Sequence, residues 1–350
     1  MKSRPSGALR AGTFARDRGP LAVAVATLVG AAACESFDEC PSRAEIAPAL
    51  AELPHRLSET GLYSELGGGG EALAPRVLAY TPAFQLWSDG ATKRRWVSLP
   101  EGGVIDVRDA DEWRFPKGTK LWKEFSRDGT RVETRMLLKY GDAEGDWAAA
   151  AYVWRTDGSD AELVPDGKTN ALGTRHDVPP ADRCMGCHGG RKSRVLGFSA
   201  VQLASAEGET ASTLAALAAA GALSGNVPDA RPPGNETERA ALGYLHANCS
   251  HCHNANRPET DGPRCYDPRN DLDMSLSVSR LGNVGRTPTY ETVVGEAVEP
   301  GDPDGSVLLE RVSRRSEGEI GTDQMPPLAT ERVDEEAVAL LRRWIAEMEE

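Results

Sequence analysis

Positive charge is in short supply in this chain. Lysine and arginine number 40 against 53 aspartates and glutamates, a formal net charge of −13. That balance argues against nucleic acid and anionic membrane surfaces as partners. Long apolar runs are missing as well. The run L-A-V-A-V-A-T-L-V-G-A-A-A, from Leu21 to Ala33, falls short of the ~20 residues that a bilayer-spanning helix needs. No internal repeat stands out. A βαβ pattern beside a C-x-x-C pair, the setting of a thiol–disulfide enzyme, is also lacking. Histidine is scarce, with six in 350 residues, and aromatic residues make up 6% of the chain. Where these few residues gather is therefore informative.

The N-terminus is distinct. Lys2, Arg4, Arg10, Arg16 and Arg18 precede the apolar run, and small residues follow up to Cys34. That order reads as an export signal over residues 1–33. It also resembles a bacterial lipoprotein signal with Cys34 as the lipidated first residue, although Ala31 stands where that pattern usually has leucine. Plain secretion is the other reading. Either way the mature protein is expected outside the cytoplasm, in the periplasm or an equivalent compartment, and touches a membrane only through lipid at Cys34. Losing the signal removes more positive than negative charge, so the mature chain is more acidic still. In an oxidising compartment the seven cysteines should be paired, ligated or modified. Cys40 is free to pair with Cys265 if Cys34 carries lipid, or with Cys34 if it does not; sequence does not choose between them.

Composition changes along the chain. Residues 34–75 read as a tether with one short helix, I-A-P-A-L-A-E-L, ending in G-G-G-G. Residues 76–170 hold Trp87, Trp96, Trp113, Trp122, Trp147 and Trp154, six of the seven tryptophans. They lie in short runs such as R-R-W-V-S-L-P, G-V-I-D-V, T-K-L-W-K-E-F and V-E-T-R-M-L-L-K-Y, separated by turn clusters. This pattern predicts an antiparallel β domain, sandwich-like, whose aromatic residues serve as core. W-S-D-G-A-T-K at 87–93 is a polar turn without a complete catalytic or metal-ligand set. Residues 171–235 are loop-like, with short helices predicted at G-F-S-A-V-Q-L and over an alanine-rich stretch at 210–223. Over residues 236–350 the chain turns helical. Asn235 caps E-T-E-R-A-A-L-G-Y-L-H-A, and Asp334 caps a last helix with Val338, Leu341, Trp344, Ile345 and Met348 on one face. The fold class expected is thus multidomain, a β domain followed by a mainly α region.

Two stretches carry chemistry: R-C-M-G-C-H-G at 183–189 and N-C-S-H-C-H-N at 248–254. Each contains C-x-x-C-H. Two thiols at that spacing meet the two vinyl groups on one edge of a haem, and the histidine that follows can reach the iron, so the motif reads as a c-type haem attachment site. Cys184 and Cys187 with His188, and Cys249 and Cys252 with His253, would each hold one haem c covalently, His188 and His253 being proximal ligands. A zinc-stapled extracellular binding protein is the competing reading. But Cys187 and Cys249 lie far beyond the ~15–20-residue spacing of zinc ribbons, and zinc gives no reason for a histidine after both pairs. Met325, in D-Q-M-P-P-L ahead of the last helix, suits a thioether ligand on the far side of the second iron, an arrangement that raises the potential. For the first iron His176 is the candidate distal ligand; Met274 and His246 are alternatives, and His251 is held between the second pair of thiols.

The segment Y-L-H-A-N-C-S-H-C-H-N, then M-P-P-L, then a helix ending L-L-R-R-W-I, resembles a class I cytochrome c domain. More broadly, L-W-S-D-G-A-T-K-R-R-W-V-S-L-P, W-R-F-P-K-G-T-K-L, E-T-R-M-L, V-P-P-A-D-R-C-M-G-C-H and V-L-G-F-S-A-V-Q-L resemble exported bacterial di-haem c-type cytochromes. The resemblance implies two haems c, electron transfer, and redox protein partners such as a dehydrogenase or another cytochrome. It implies no catalytic residue and names no activity for the β domain. A di-haem peroxidase-like enzyme is the alternative from another class. It would need an acid–base group beside an open iron, and the sequence offers no convincing one.

Overall fold

The structure is a computed structural model and describes residues 43–67, 70–204, 213–255, 271–315, 324–327 and 330–349. The expected signal at 1–33 and Cys34, Cys40 and Cys265 lie outside the described residues. In chain order the elements are helix α1 (Arg43–Leu50), a hairpin of β1 (Tyr63–Gly67) and β2 (Gly70–Leu73), and strands β3 (Leu78–Ala79), β4 (Thr92–Ser98), β5 (Lys120–Arg127), β6 (Thr130–Lys139), β7 (Trp147–Trp154) and β8 (Ala161–Leu163). Helices follow: α2 (Cys184–His188), α3 (Thr213–Ala219), α4 (Glu236–Asn248), α5 (Pro288–Thr292), α6 (Val307–Val312) and α7 (Glu335–Ala346).

Strands β3 to β8 form one six-stranded antiparallel sheet in sequence order. The alternating, aromatic-rich runs form the strands, and short turns join them. Asp128 and Gly129 both take positive φ in the turn between β5 and β6, which is the geometry that joins two strands by a two-residue turn. The expected antiparallel β region is present, but in place of two facing sheets of similar size there are one six-stranded sheet and the two-stranded β1–β2 hairpin, whose Tyr63 packs into the cluster on one face of the larger sheet. One face carries Trp96, Trp122, Met136, Ala150, Tyr152 and Trp154, packed against Leu53, Leu57 and Leu62. The other carries Val97, Leu121 and Trp147, packed against Trp113, Phe198 and Leu242. With both faces covered, β7 is buried at every position, and such a strand needs apolar residues throughout rather than on alternate positions.

Segments on either side of the strands cover the faces of the sheet. Within the tether expected over 34–75, Leu57 and Leu62 are fully buried under the sheet, so this part of the chain is packed structure. Leu242 of α4 sits in the same core as Val97 and Leu121 of the sheet, so the β half and the helical half share a core. G-V-I-D-V also stays outside the sheet, because Ile105 exchanges backbone hydrogen bonds with Ala222 and Ser224 instead. G-F-S-A-V-Q-L closes as a turn rather than a helix.

The helical predictions hold where caps and apolar stripes agree. Asn235 accepts the Glu238 N–H and Glu238 returns a bond to the Asn235 N–H, a reciprocal cap on α4. Asp334 caps α7 through the Ala337 N–H. Leu341, Trp344 and Ile345 of α7 pack on Ala241 and Leu245 of α4, with Val338 and Met348 at the edge of that cluster. Among the described residues no helix is long and apolar enough to cross a membrane.

Candidate functional site

The first C-x-x-C-H is the helix α2 itself. A turn over Ala181–Arg183 leads straight into it, and one helical turn places Cys184 and Cys187 on the same side, three residues apart. After His188 the chain folds back. Arg194 adopts φ 58, its guanidinium donates to the Gly189 carbonyl at 2.6 Å, and Arg191 pairs with Glu112 at 2.8 Å. This loop brings the Arg194 carbonyl to 2.7 Å from His188 Nδ1. A carbonyl only accepts, so Nδ1 carries the proton and Nε2 keeps its lone pair, the state a metal-binding imidazole requires. Burial, followed by the charges of Lys123, Arg135 and Arg194, pulls the His188 pKa down to about 4 against the pull of that carbonyl. The ring is therefore neutral at pH 7.

The second motif sits at the C-terminus of α4. Cys249 is its C-cap residue, and its N–H donates to the Leu245 carbonyl. The N–H groups of Cys252 and His253 both donate to the Cys249 carbonyl, at 3.0 and 2.9 Å, so the motif continues the helix as a tight turn. The His253 carbonyl in turn accepts the Met274 N–H at 2.9 Å. Met325 lies between α6 and α7, its N–H donating to the Arg311 carbonyl at 3.0 Å. Its side chain packs on the same cluster as Cys249 and Met274, between α4 and α7.

The fold joins the two motifs. Asn254 donates to the Gly190 carbonyl at 3.2 Å and to the Ser250 carbonyl at 2.7 Å. A Cβ on Gly190 would lie 1.7 Å from the His251 carbonyl oxygen, so only glycine permits this approach. The charges of His188 and His253 both act on His251, which burial drives down to about 3.

The other candidate ligands are engaged. His246 Nδ1 accepts the Leu276 N–H at 3.0 Å, and burial lowers its pKa to about 3. It is thus neutral with the proton on Nε2, and neither nitrogen has a lone pair to give. His176 donates through Nε2 to Glu133 Oε1 at 2.7 Å and stands beside Phe125, ring centroids 5.5 Å apart. Glu133 is also clasped by Arg135, at 2.7 to 3.0 Å. Only Nδ1 of His176 is left for an iron.

The four motif cysteines are not joined in disulfides. Burial pushes the Cys184 and Cys249 thiols up to about 12. Among the described residues no three of His, Cys, Asp and Glu gather as a metal-holding group, so the four thiols do not form the tetrahedral set that zinc takes. What is present twice is a thiol pair on one helical turn with an adjacent histidine, and at His188 the ring is set for ligation. That donor set fits a covalently attached haem.

Sequence reasoning passed over two groups that shape the site. Asp89, in W-S-D-G, accepts from the Glu331 and Arg332 N–H groups at 3.0 Å and from the Thr330 hydroxyl at 3.0 Å. Trp87 donates its ring N–H to the Arg332 carbonyl at 3.0 Å and its backbone N–H to Asn248 at 2.6 Å. The polar turn thus ties the end of α4 to the chain following Met325. The second group is a set of charged residues on a covered sheet face: Arg95, Lys123, Glu133 and Arg135. Charged residues recurring at i, i+2 within apolar strands were the available signal.

No protein-family model matches the chain, and no curated protein or solved structure matches it either.

Proposed function

We propose that this chain is an exported electron carrier that holds two haems c, one at Cys184, Cys187 and His188 and one at Cys249, Cys252 and His253. The observation that carries the reading is the His188 ring. Its Nδ1–H is committed to the Arg194 backbone carbonyl, which leaves Nε2 deprotonated in the residue that directly follows a correctly spaced thiol pair. When bound, each haem supplies an iron that cycles between two oxidation states by one electron.

The protein's own groups do the rest. The thiols fix each ring at one edge. The loop through Arg194 holds the tautomer and plane of His188. The α4–α7 pair, with Met325 and Cys249 on its shared cluster, supports the cytochrome c-like reading of the second half, in which Met325 is the distal ligand. The Gly190–His251 contact supports passage of electrons between the two sites, since transfer needs closely spaced redox groups. The acidic chain suits a basic redox protein as donor or acceptor, and the N-terminal pattern suits an extracytoplasmic location, with lipid at Cys34 as the optional anchor.

The test is haem content per chain, by intact mass and the reduced pyridine spectrum, on protein produced with a c-type maturation system. Two covalent haems per chain are expected. A chain that carries none and binds zinc instead overturns the reading.

A further inference from the structure

Antiparallel register sets three cations side by side on the face of the sheet that adjoins α2. Arg95 of β4 stands opposite Lys123 of β5, and Lys123 stands opposite Arg135 of β6. Lys93 is one pleat along on the same face. Like charges directly opposite one another destabilise a sheet, so this rung calls for an explanation.

The acids at hand do not supply it. Glu133 is the carboxylate of the same face, and it is bound by Arg135 and His176. Asp334 acts on Lys93 alone among these residues. Arg95 is 5% exposed, yet its guanidinium has no hydrogen-bonding or carboxylate partner among the described residues, and Tyr80, the group that favours its charge, is a phenol pushed up to about 12 by burial and so neutral at pH 7. Lys123 has its ammonium 5.1 Å above the Phe125 ring and no carboxylate in contact. Burial, then Arg95, Arg135 and Lys93, depress its pKa well below that of an ordinary lysine, with the more distant Glu133 opposing them only in part. A buried unpaired guanidinium is costly, and an anion beside it would offset that cost. With Arg135 offset by Glu133, two cations remain unmatched, Arg95 and Lys123.

Their position says what the anion adjoins. Helix α2, which carries the first thiol pair, packs against β7, the strand paired with β6, where Arg135 stands opposite Ala151. The rung therefore borders the space beside the first thiol pair. A haem carries two carboxylates on the side of the ring away from its vinyl groups, and the unmatched cations number two.

We propose that the Arg95–Lys123–Arg135 rung is a carboxylate platform for the propionates of the haem tethered at Cys184 and Cys187. The proposal rests on the haem reading above and gives the sheet a purpose: it is the wall on which the first haem is seated. Two carboxylates then complete Arg95 and Lys123, and Arg135 remains with Glu133.

The experiment uses the full chain with its haems attached. R95Q, K123Q and R95K are made, haem content is confirmed by intact mass, and each haem is titrated electrochemically with and without added inorganic phosphate. Removing a cation from a propionate favours the oxidised state. R95Q and K123Q are therefore expected to lower one of the two potentials, changing the ratio of reduced to oxidised first haem at fixed ambient potential about tenfold, or about 59 mV for one electron. R95K keeps the charge and is expected to retain most of the original potential, which a purely structural role for Arg95 would not require. Unchanged potentials in R95Q and K123Q overturn the proposal. So does a potential in the unaltered chain that shifts with phosphate while the variants do not respond, because a mobile anion would then occupy the rung. An unaltered chain without haem overturns the functional reading and this one together, and intact mass separates that case from the others.

Discussion

At the scale of single residues, proton placement separates the histidines. His188 is half-buried and His246 buried, and both are neutral, yet one donates its Nδ1 proton to a carbonyl and the other accepts an amide proton at Nδ1. Only the first leaves Nε2 free to bind a metal. Sequence showed the adjacency of His188 to Cys187 and could not show this, because the tautomer is set by Arg194, whose carbonyl arrives through a left-handed turn. Met325 permits a direct check. Met325→Ala is expected to lower the potential of the second haem by more than a tenfold change in the reduced-to-oxidised ratio, beyond about 59 mV, while intact mass shows both haems still attached. An unchanged potential and spectrum would remove Met325 from the ligand set. Gly190 is a second such position. With a backbone oxygen 1.7 Å from the site of a new Cβ, Gly190→Ala must push the two motifs apart. A loss of about 1–3 kcal/mol is expected in chemical denaturation, together with slower electron exchange between the haems. Wild-type stability in that variant would mean that the approach of Gly190 to His251 is not tight.

Elements show why some of the sequence was legible and some was not. The caps of α4 and α7 and the apolar stripe of α7 were readable because cap, dipole and periodicity all act within a few residues. Strands β4 to β7 were readable for the same reason, as alternating or fully apolar runs between turns. The layer facing the sheet was not readable. Leu53, Leu57 and Leu62 lie in a segment whose flanking glycines and polar residues suggest a tether, and their burial depends on Trp96, Trp122 and Trp154, far along the chain. W-S-D-G was similarly opaque, since its partners are residues 248 and 330–332. Its role predicts a specific outcome. Asp89→Ala removes the acceptor for two backbone N–H groups and one hydroxyl next to the Met325 segment. The stability cost is expected at about 1–3 kcal/mol, and the visible band of thioether-ligated haem should weaken before the chain unfolds. If the band and the thermal midpoint both match the unaltered protein, Asp89 does not hold that segment.

On the scale of the whole molecule, charge and connectivity dominate. A net charge of −13 predicts that reduction by a basic redox partner slows several-fold as salt rises from about 0.01 M to 0.15 M, where the screening length falls from about 30 to 8 Å. Stopped-flow mixing with a basic and an acidic donor checks this: a rate that salt leaves unchanged with both would show that the acidic surface does not steer association. Connectivity carries the remaining consequence, through the tie between residues 87–89 and residues 330–332. Those contacts join positions more than two-thirds of the chain apart, so this tie closes a long loop before its contacts reward the closure. A chain delivered from its N-terminus has its tryptophan-rich strands ready early, but the turn that reaches Asn248 and Arg332 must wait. Assembly of the whole is timed by the last stretch to arrive, and a polypeptide halted anywhere before residue 330 is left with an open seam.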